Sequence, residues 1–245
     1  MSKTYILVGL TGSGKSTTGN CIFNRSGNLD AIQDTPFPTS DSSSSCTKSF
    51  AIARNNTLSI IDTIGFGDPT LDKTKSLDEF RNALSHVSFK VDCVLFVVRK
   101  GKFSQEVVEF FATVQEKILK NKCVKNSILL VTDCETGWIE AEEKSNEYVN
   151  KVLKNCNKLY YEFSLRFDRG DDTHQDKISN LKKRETSIQK LVQFLDEKSF
   201  EKIDISYIKS SEFLTEWENK ILPALITIAT IGSGALFIAK RCLVM

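Results

Sequence analysis

A short segment near the start of the chain has the residue types and the spacing of a phosphate-binding loop. Residues 9–16 read GLTGSGKS and match the pattern G-x-x-x-x-G-K-[ST] at every fixed position. Glycines let such a loop curl, so that successive backbone N–H groups point inward at an anion. Lys15 then brings a positive charge to the β- and γ-phosphates, and Ser16 offers its hydroxyl to Mg²⁺. The predicted ligand is therefore a nucleotide polyphosphate with Mg²⁺. The residues expected to contact it are Gly12, Ser13, Gly14, Lys15, Ser16 and Thr17.

A second motif supplies a carboxylate for the same chemistry. Residues 62–65 read DTIG and directly follow the apolar run of residues 58–61. Asp62, at the end of a buried strand, is expected to hold the Mg²⁺ shell through water, and the backbone N–H of Gly65 is expected to contact the γ-phosphate. The D-x-x-G pattern is short, but its place after an apolar strand and an intact phosphate loop favours this function.

The loop between the two motifs is long and rich in Ser, Pro, Asp and Gly over residues 24–46. Thr47 follows it and is the residue predicted to touch Mg²⁺, beside Ser16 and Asp62. Ser45 is the competing candidate, and a solvated threonine without a role is the other interpretation. Thr47 is thus predicted to act in catalysis together with Lys15 and Gly65.

Base recognition is expected after the apolar run of residues 127–131, where guanine-binding proteins usually carry N/T-K-x-D. Residues 132–135 read TDCE here, and Asp133 and Glu135 are the residues expected to contact the nucleotide. Glu135 can accept hydrogen bonds from the guanine N1–H and exocyclic amine, whereas Asp133 cannot lay an aliphatic stem and an ammonium over the ring as lysine would. Guanine is favoured over adenine, and an ATP-using protein stays open. Trp138 is predicted either to stack on the base or to be a surface or core tryptophan at the start of a helix.

Composition limits the class of protein. The chain has 245 residues and a net charge of +2, which gives no argument for binding nucleic acid. Its seven cysteines lack C-x-x-C spacing, and no signal peptide is recognised at the N-terminus. We therefore expect reduced thiols in a cytosolic domain and no zinc site.

The elements that position these motifs alternate along the sequence. Such alternation predicts an α/β fold, a doubly wound and mostly parallel sheet with one antiparallel hairpin. Strands are predicted at residues 4–8, 47–54, 57–62, 91–98, 127–132 and 159–167. Helices are predicted at residues 15–23, 77–89, 104–120, 138–156 and 175–198.

With these motifs in hand, the chain resembles the AIG1/IMAP family of septin-like P-loop GTPases. The resemblance lies in residues 12–20 (GSGKSTTGN), 45–48 (SCTK), 61–68 (IDTIGFGD) and 95–104 (LFVVRKGKFS). It covers roughly residues 3–200. It implies a G domain over residues 1–200, GTP or GDP with Mg²⁺ as ligands, and GTP-dependent homo- or hetero-dimers formed through the nucleotide face.

The residue after D-x-x-G bears on hydrolysis. Many GTPases carry a glutamine there that orients the attacking water, but this chain has Phe66, which can neither donate nor accept a hydrogen bond. Slow intrinsic hydrolysis is expected, and pairing of G domains would supply a missing group. Lys102 is predicted to reach the partner's phosphates, with a solvated surface lysine as the alternative. A slow GTPase and a GTP-holding binding module with negligible turnover both remain open.

The C-terminal region is apolar. Residues 221–239 carry no charge and would span about 28 Å as a helix, which suits a bilayer core. We predict a single-pass tail anchor on the cytosolic face of an intracellular membrane, preceded by a linker or amphipathic helix over residues 201–220. The alternative is an apolar helix packed on the G domain. The last four residues, CLVM, also match a C-a-a-X box, which is a signal for prenylation of Cys242.

Overall fold

A six-stranded sheet forms the centre of the protein. The computed structural model describes residues 2–28, 35–39, 50–63, 73–164 and 171–232. The strands are β1 (Lys3–Val8), β2 (Ala51–Arg54), β3 (Leu58–Asp62), β4 (Lys90–Val91), β5 (Cys93–Arg99), β6 (Ser127–Thr132), β7 (Tyr160–Glu162) and β8 (Ile203–Asp204). The sheet order is β2-β3-β1-β5-β6-β7, and β4 pairs with β8 separately. Within the large sheet only β2 and β3 pair antiparallel, so the predicted fold class is confirmed.

Helices connect the strands, and two helices follow the last described strand. They are α1 (Lys15–Asn24), α2 (Lys73–Ser85), α3 (Gln105–Thr113), α4 (Trp138–Glu142), α5 (Glu147–Lys154), α6 (His174–Glu197), α7 (Ser211–Glu216) and α8 (Leu222–Gly232). Apolar side chains alternate along β1, so that Ile6 and Tyr5 lie in different clusters on opposite faces of the sheet. One cluster includes residues of α2, α3, α5, α7 and α8, and the other includes residues of α1 and α6. Helices therefore cover both faces, as in a doubly wound fold.

The strand order reverses beside β1. From β1 the chain reaches β3 on one side and then β5 on the other side of β1. In open α/β sheets ligands bind where the strand order reverses, outside the carboxyl ends of the strands. The loops after β1, β3, β5 and β6 all leave from that edge, so the predicted motifs share it.

Two predicted helices are shorter in the structure than the sequence predicts. The helix predicted over residues 104–120 is α-helical only in α3 and continues as a π-helical turn, Val114–Ile118. In that turn the buried amide of Gln115 donates to Ser127 Oγ and to the Asn155 carbonyl, both at 2.7 Å. The helix predicted over residues 138–156 divides into α4 and α5, because the Asn146 side chain accepts from the backbone N–H groups of Tyr148 and Val149 and starts a new helix.

The C-terminal helices pack on the domain. The stretch predicted as a linker or amphipathic helix contains β8, a 3₁₀ turn, α7 and a π-helical turn, Trp217–Ile221. Leu222 and Leu225 of α8 are 1% and 0% exposed in the same apolar cluster as α3. Over the described residues we find no helix with the length and apolar character needed to cross a membrane. Residues 233–239 lie outside the described residues, and the transmembrane helix over residues 221–239 stays a prediction.

Candidate nucleotide-binding site

The loop after β1 has the curled backbone that its glycines predict. Gly12 and Gly14 adopt φ values of 76° and 93°, in the left-handed region that favours glycine. A Cβ on Gly9 would lie 2.4 Å from the Val97 carbonyl oxygen of β5, so only glycine fits at that close approach. The loop is closed by a hydrogen bond of 3.2 Å from the Ser13 N–H to the Leu10 carbonyl. This backbone can present several N–H groups to an anion at the start of α1.

The lysine of the loop is held at the site. Lys15 is 6% exposed, and its Nζ donates to the Leu10 carbonyl at 3.1 Å. Burial lowers the pKa of Lys15, and the nearby carboxylate of Asp62 opposes that shift. An anion at this place would supply the compensation that a buried ammonium needs.

Ser16 and Asp62 meet although they lie far apart in the sequence. Ser16 Oγ donates to Asp62 Oδ2 at 2.6 Å. Asp62 is fully buried, and among the described residues its Oδ1 has no hydrogen-bond partner. Burial raises the pKa of Asp62, while Lys15 and the hydrogen bond from Ser16 lower it. A hydroxyl beside a buried carboxylate with one unsatisfied oxygen fits the oxygen ligands that Mg²⁺ prefers.

Other predicted catalytic residues lie outside the described part of the chain. These are Thr47 and Gly65; the neighbours Ser45 and Phe66 lie outside it as well. Two described residues close to them in the sequence, Thr63 and Ala51, form contacts within the sheet. Thr63 Oγ1 donates to the Leu7 carbonyl at 2.7 Å, and Ala51 lies opposite Asp62 in the β2–β3 ladder.

The end of β6 is joined to the phosphate loop. Thr132 Oγ1 donates to the Ser13 carbonyl at 3.3 Å. A Cβ added to Gly14 would lie 3.5 Å from the methyl group of Thr132. The following residue, Asp133, has a φ of 55° and forms an ion pair with Arg99, with 2.7 Å between Oδ2 and Nε. Asp133 was predicted to contact the nucleotide together with Glu135, although it cannot cover the base as a lysine would, and this contact stays a prediction. Arg99 was not predicted from the sequence, because no local pattern links the end of β5 to position 133.

The loop after Asp133 is braced by β7. The Cys134 N–H donates to the Phe163 carbonyl at 3.2 Å, and burial raises the pKa of its thiol to about 12. Glu162 accepts from the Gly137 N–H at 2.6 Å and from the Ile139 N–H, at the start of α4. Glu135 remains exposed in this braced loop, where its carboxylate can accept hydrogen bonds from a ligand. The bracing role of Glu162 was not predicted from the sequence.

Trp138 and Lys102 have different surroundings. The Trp138 ring packs against Phe103, with 5.5 Å between the ring centroids, and Lys100 Nζ lies 6.0 Å from the Trp138 centroid. This contact favours the packing interpretation of Trp138. Lys102 is exposed at the same edge, and its backbone N–H donates to the Arg99 carbonyl at 3.0 Å.

Comparisons with known proteins agree with this architecture. The model of the AIG1 family matches residues 3–220. GTPase IMAP family member 8 of the mouse is 28% identical over 195 residues, which cover 76% of this chain and 27% of that protein. The chain thus spans about a quarter of the length of that relative. The crystal structure of Toc33 from Arabidopsis thaliana in complex with Mg²⁺ and GMPPNP overlaps with a TM-score of 0.52 at 15% identity, covering 83% of this chain and 88% of that one. That likeness shows the fold.

Proposed function

The chain belongs to the AIG1 family of P-loop GTPases, and on that premise we propose that it is a membrane-attached switch that binds GTP and GDP with Mg²⁺ and hydrolyses GTP slowly. The observation that carries the proposal is the Ser16–Asp62 contact, 2.6 Å long, beside the buried ammonium of Lys15. A hydroxyl, a carboxylate and a cation converge there at the mouth of a curled glycine loop. This is the donor set that a Mg²⁺–nucleotide requires.

The residues of the site would divide the work of binding. Backbone N–H groups of residues 12–17 donate to the phosphate oxygens, and Lys15 Nζ exchanges the Leu10 carbonyl for an anionic partner. Ser16 Oγ and Asp62 hold the divalent cation, Asp62 through water. When bound, Mg²⁺ neutralises charge on the β- and γ-phosphates. Thr47 and Gly65 would complete the site, since Thr47 is four residues from Ala51 and Ala51 lies opposite Asp62.

Glu135, which lies just after the C-terminal end of β6, would select the base. Glu135 is exposed in the loop after β6, and Thr132, the last residue of β6, donates a hydrogen bond to the Ser13 carbonyl. This hydrogen bond joins the proposed base site to the phosphate loop. A carboxylate accepts from the two donors on the Watson–Crick edge of guanine, whereas adenine presents an acceptor at N1. This arrangement supports GTP over ATP.

Slow turnover is supported by Phe66, which cannot orient a water molecule. The same residue favours the second candidate function, a module that holds GTP and recruits partners with negligible hydrolysis. Pairing of two G domains across the nucleotide face would add a basic group in trans. Lys102 is exposed at that face and is the residue proposed for this role.

Membrane attachment through residues 221–239 is part of the proposal, with the G domain on the cytosolic side. It rests on the uncharged composition of the segment and on the basic residues 240–241 that follow it. Leu222, Leu225 and Ile228 contact the domain, so insertion of this part requires that they leave it. Flotation of the full chain with liposomes tests the attachment, and full recovery of the chain away from the vesicles contradicts it.

A competition assay tests the central proposal. Fluorescent GDP bound to the full chain with Mg²⁺ should be displaced by GTP and GDP and not by a hundredfold excess of ATP. Lys15→Ala and Asp62→Ala should bind at least tenfold more weakly, whereas Lys125→Ala, an exposed lysine at the opposite edge of the sheet, should bind as the natural chain does. Equal displacement by ATP would favour an ATP-using protein, and no binding at all would refute the proposal.

A further inference from the structure

We propose that Arg99 forms part of the base-binding surface. Its guanidinium, held by Asp133, packs on the face of the guanine ring and takes the place of the lysine that position 133 lacks. The inference rests on the proposed function, because it assumes a guanine nucleotide on the phosphate loop.

The topology places Arg99 where the nucleoside must lie. The phosphate loop follows β1, and Asp62 ends β3 on one side of β1. The cation site therefore lies on that side, and the base extends over the other side, where β5 and β6 end. Arg99 is the last residue of β5 and pairs in register with Thr132 of β6. Thr132 in turn contacts Ser13 of the phosphate loop.

The ion pair orients the guanidinium and leaves much of it exposed. Nε of Arg99 lies 2.7 Å from Asp133 Oδ2, and the side chains are 57% and 27% exposed. Among the described residues, only Asp133 forms a hydrogen bond or ion pair with this guanidinium. A planar, weakly hydrated guanidinium stacks on aromatic faces better than an ammonium does. The left-handed φ of Asp133, 55°, belongs to the same arrangement, because it sets the direction in which the carboxylate leaves the backbone.

Other cations and rings at this edge have other contacts. Trp138 packs against Phe103, and Lys100 Nζ lies 6.0 Å from the Trp138 centroid. An unpaired carboxylate at position 133 would also repel the electron-rich edge of guanine. The guanidinium of Arg99 compensates the charge of that carboxylate and presents a planar group to the base in place of the usual lysine.

Equilibrium binding to the full chain tests the proposal with two probes in the presence of Mg²⁺. Fluorescent GDP carries the base, and inorganic tripolyphosphate does not. Arg99→Ala should weaken GDP binding about five- to tenfold and leave tripolyphosphate binding unchanged. Arg99→Lys keeps the positive charge but loses the planar guanidinium. Its GDP affinity should therefore lie between those of the natural chain and of Arg99→Ala. Arg25→Ala is the matched control, because Arg25 forms a similarly exposed ion pair with Asp196, 2.6 Å long, away from this edge.

A second substitution supplies a rescue. Asp133→Lys in the Arg99→Ala background restores the usual lysine and should return GDP affinity to within about twofold of the natural chain. Arg99→Ala that binds GDP as tightly as the natural chain overturns the inference and leaves the proposed function intact. Equal weakening of GDP and tripolyphosphate also overturns it, because the contact is then to phosphate. A natural chain that binds neither GDP nor GTP overturns the proposed function and the inference together.

Discussion

The side-chain amide of Asn20 forms two hydrogen bonds with the backbone of Phe37, one as donor and one as acceptor. Asn20 Nδ2 donates to the Phe37 carbonyl at 2.8 Å, and Oδ1 accepts from the Phe37 N–H at 3.1 Å. The two residues are 2% and 0% exposed. A Cβ on the neighbouring Gly19 would lie 2.9 Å from the Phe37 ring and 2.8 Å from Leu7. The TTGN sequence after the phosphate loop thus joins α1 to residues 35–39 as one packed unit.

Asn20→Ala is expected to lower the free energy of unfolding by about 2–3 kcal/mol, because it leaves both backbone groups of Phe37 buried without partners. Chemical denaturation of the ligand-free chain measures this loss. Asn219→Ala is the control, since Asn219 donates to the Thr215 carbonyl on an exposed helix face and should change stability by less than about 0.5 kcal/mol. Equal effects of the two substitutions would contradict a special role for Asn20.

Asp62→Asn should stabilise the ligand-free protein while it abolishes Mg²⁺-dependent nucleotide binding. Burial raises the pKa of Asp62 above its ordinary value, so the folded state holds a proton on this group more readily than the unfolded chain does. Stability contributed by this group is therefore lost as the pH rises through its folded-state pKa. The melting temperature of Asp62→Asn should exceed that of the natural chain at pH 8, and the difference should vanish below the ordinary pKa of aspartate, about 4. A less stable variant at pH 8 would contradict this account.

The sequence predicted the fold well where a local pattern determines the element. The strand over residues 127–132 has the predicted bounds, and the helix over residues 175–198 is observed as His174–Glu197, because Thr173 and Asp176 form a capping box at its start. Ser16 and Asp62 were each predicted to hold Mg²⁺, and they lie in hydrogen-bond contact because both belong to motifs that end at one edge of the sheet.

Interactions between distant segments were not predictable in the same way. The Arg99–Asp133 pair depends on the register of β5 and β6, and the bracing of α4 by Glu162 depends on β7 lying beside β6. Neither pair has a local sequence signature. The π-helical turn at the end of the helix predicted over residues 104–120 contains Gln115, whose hydrogen-bond partners belong to other elements. Such features follow from tertiary contacts, which override local propensity.

Docking of α8 is expected to contribute to stability and to compete with membrane attachment. Leu225 is 0% exposed, so Leu225→Ala should cost about 2–4 kcal/mol in denaturant unfolding. Ile178→Ala is the matched control, because Ile178 is 48% exposed and should cost less than about 0.5 kcal/mol. If residues 221–239 enter the bilayer, Leu225→Ala should also increase the fraction of the chain that floats with liposomes. Equal stability losses in the two variants would show that α8 does not pack on the domain in solution.

GTP hydrolysis should depend on protein concentration, because Phe66 stands where many GTPases carry the glutamine that orients water and cannot take that role. The rate per molecule is expected to rise about tenfold as the concentration passes the dissociation constant of the paired state. Lys102→Ala should flatten that profile while GDP affinity stays unchanged. Lys125→Ala removes an exposed lysine at the opposite edge and should keep the natural profile. A flat profile for the natural chain would refute assistance by pairing. A rising profile that Lys102→Ala leaves unaltered would instead assign the assistance to another residue, because pairing would then accelerate hydrolysis without this lysine.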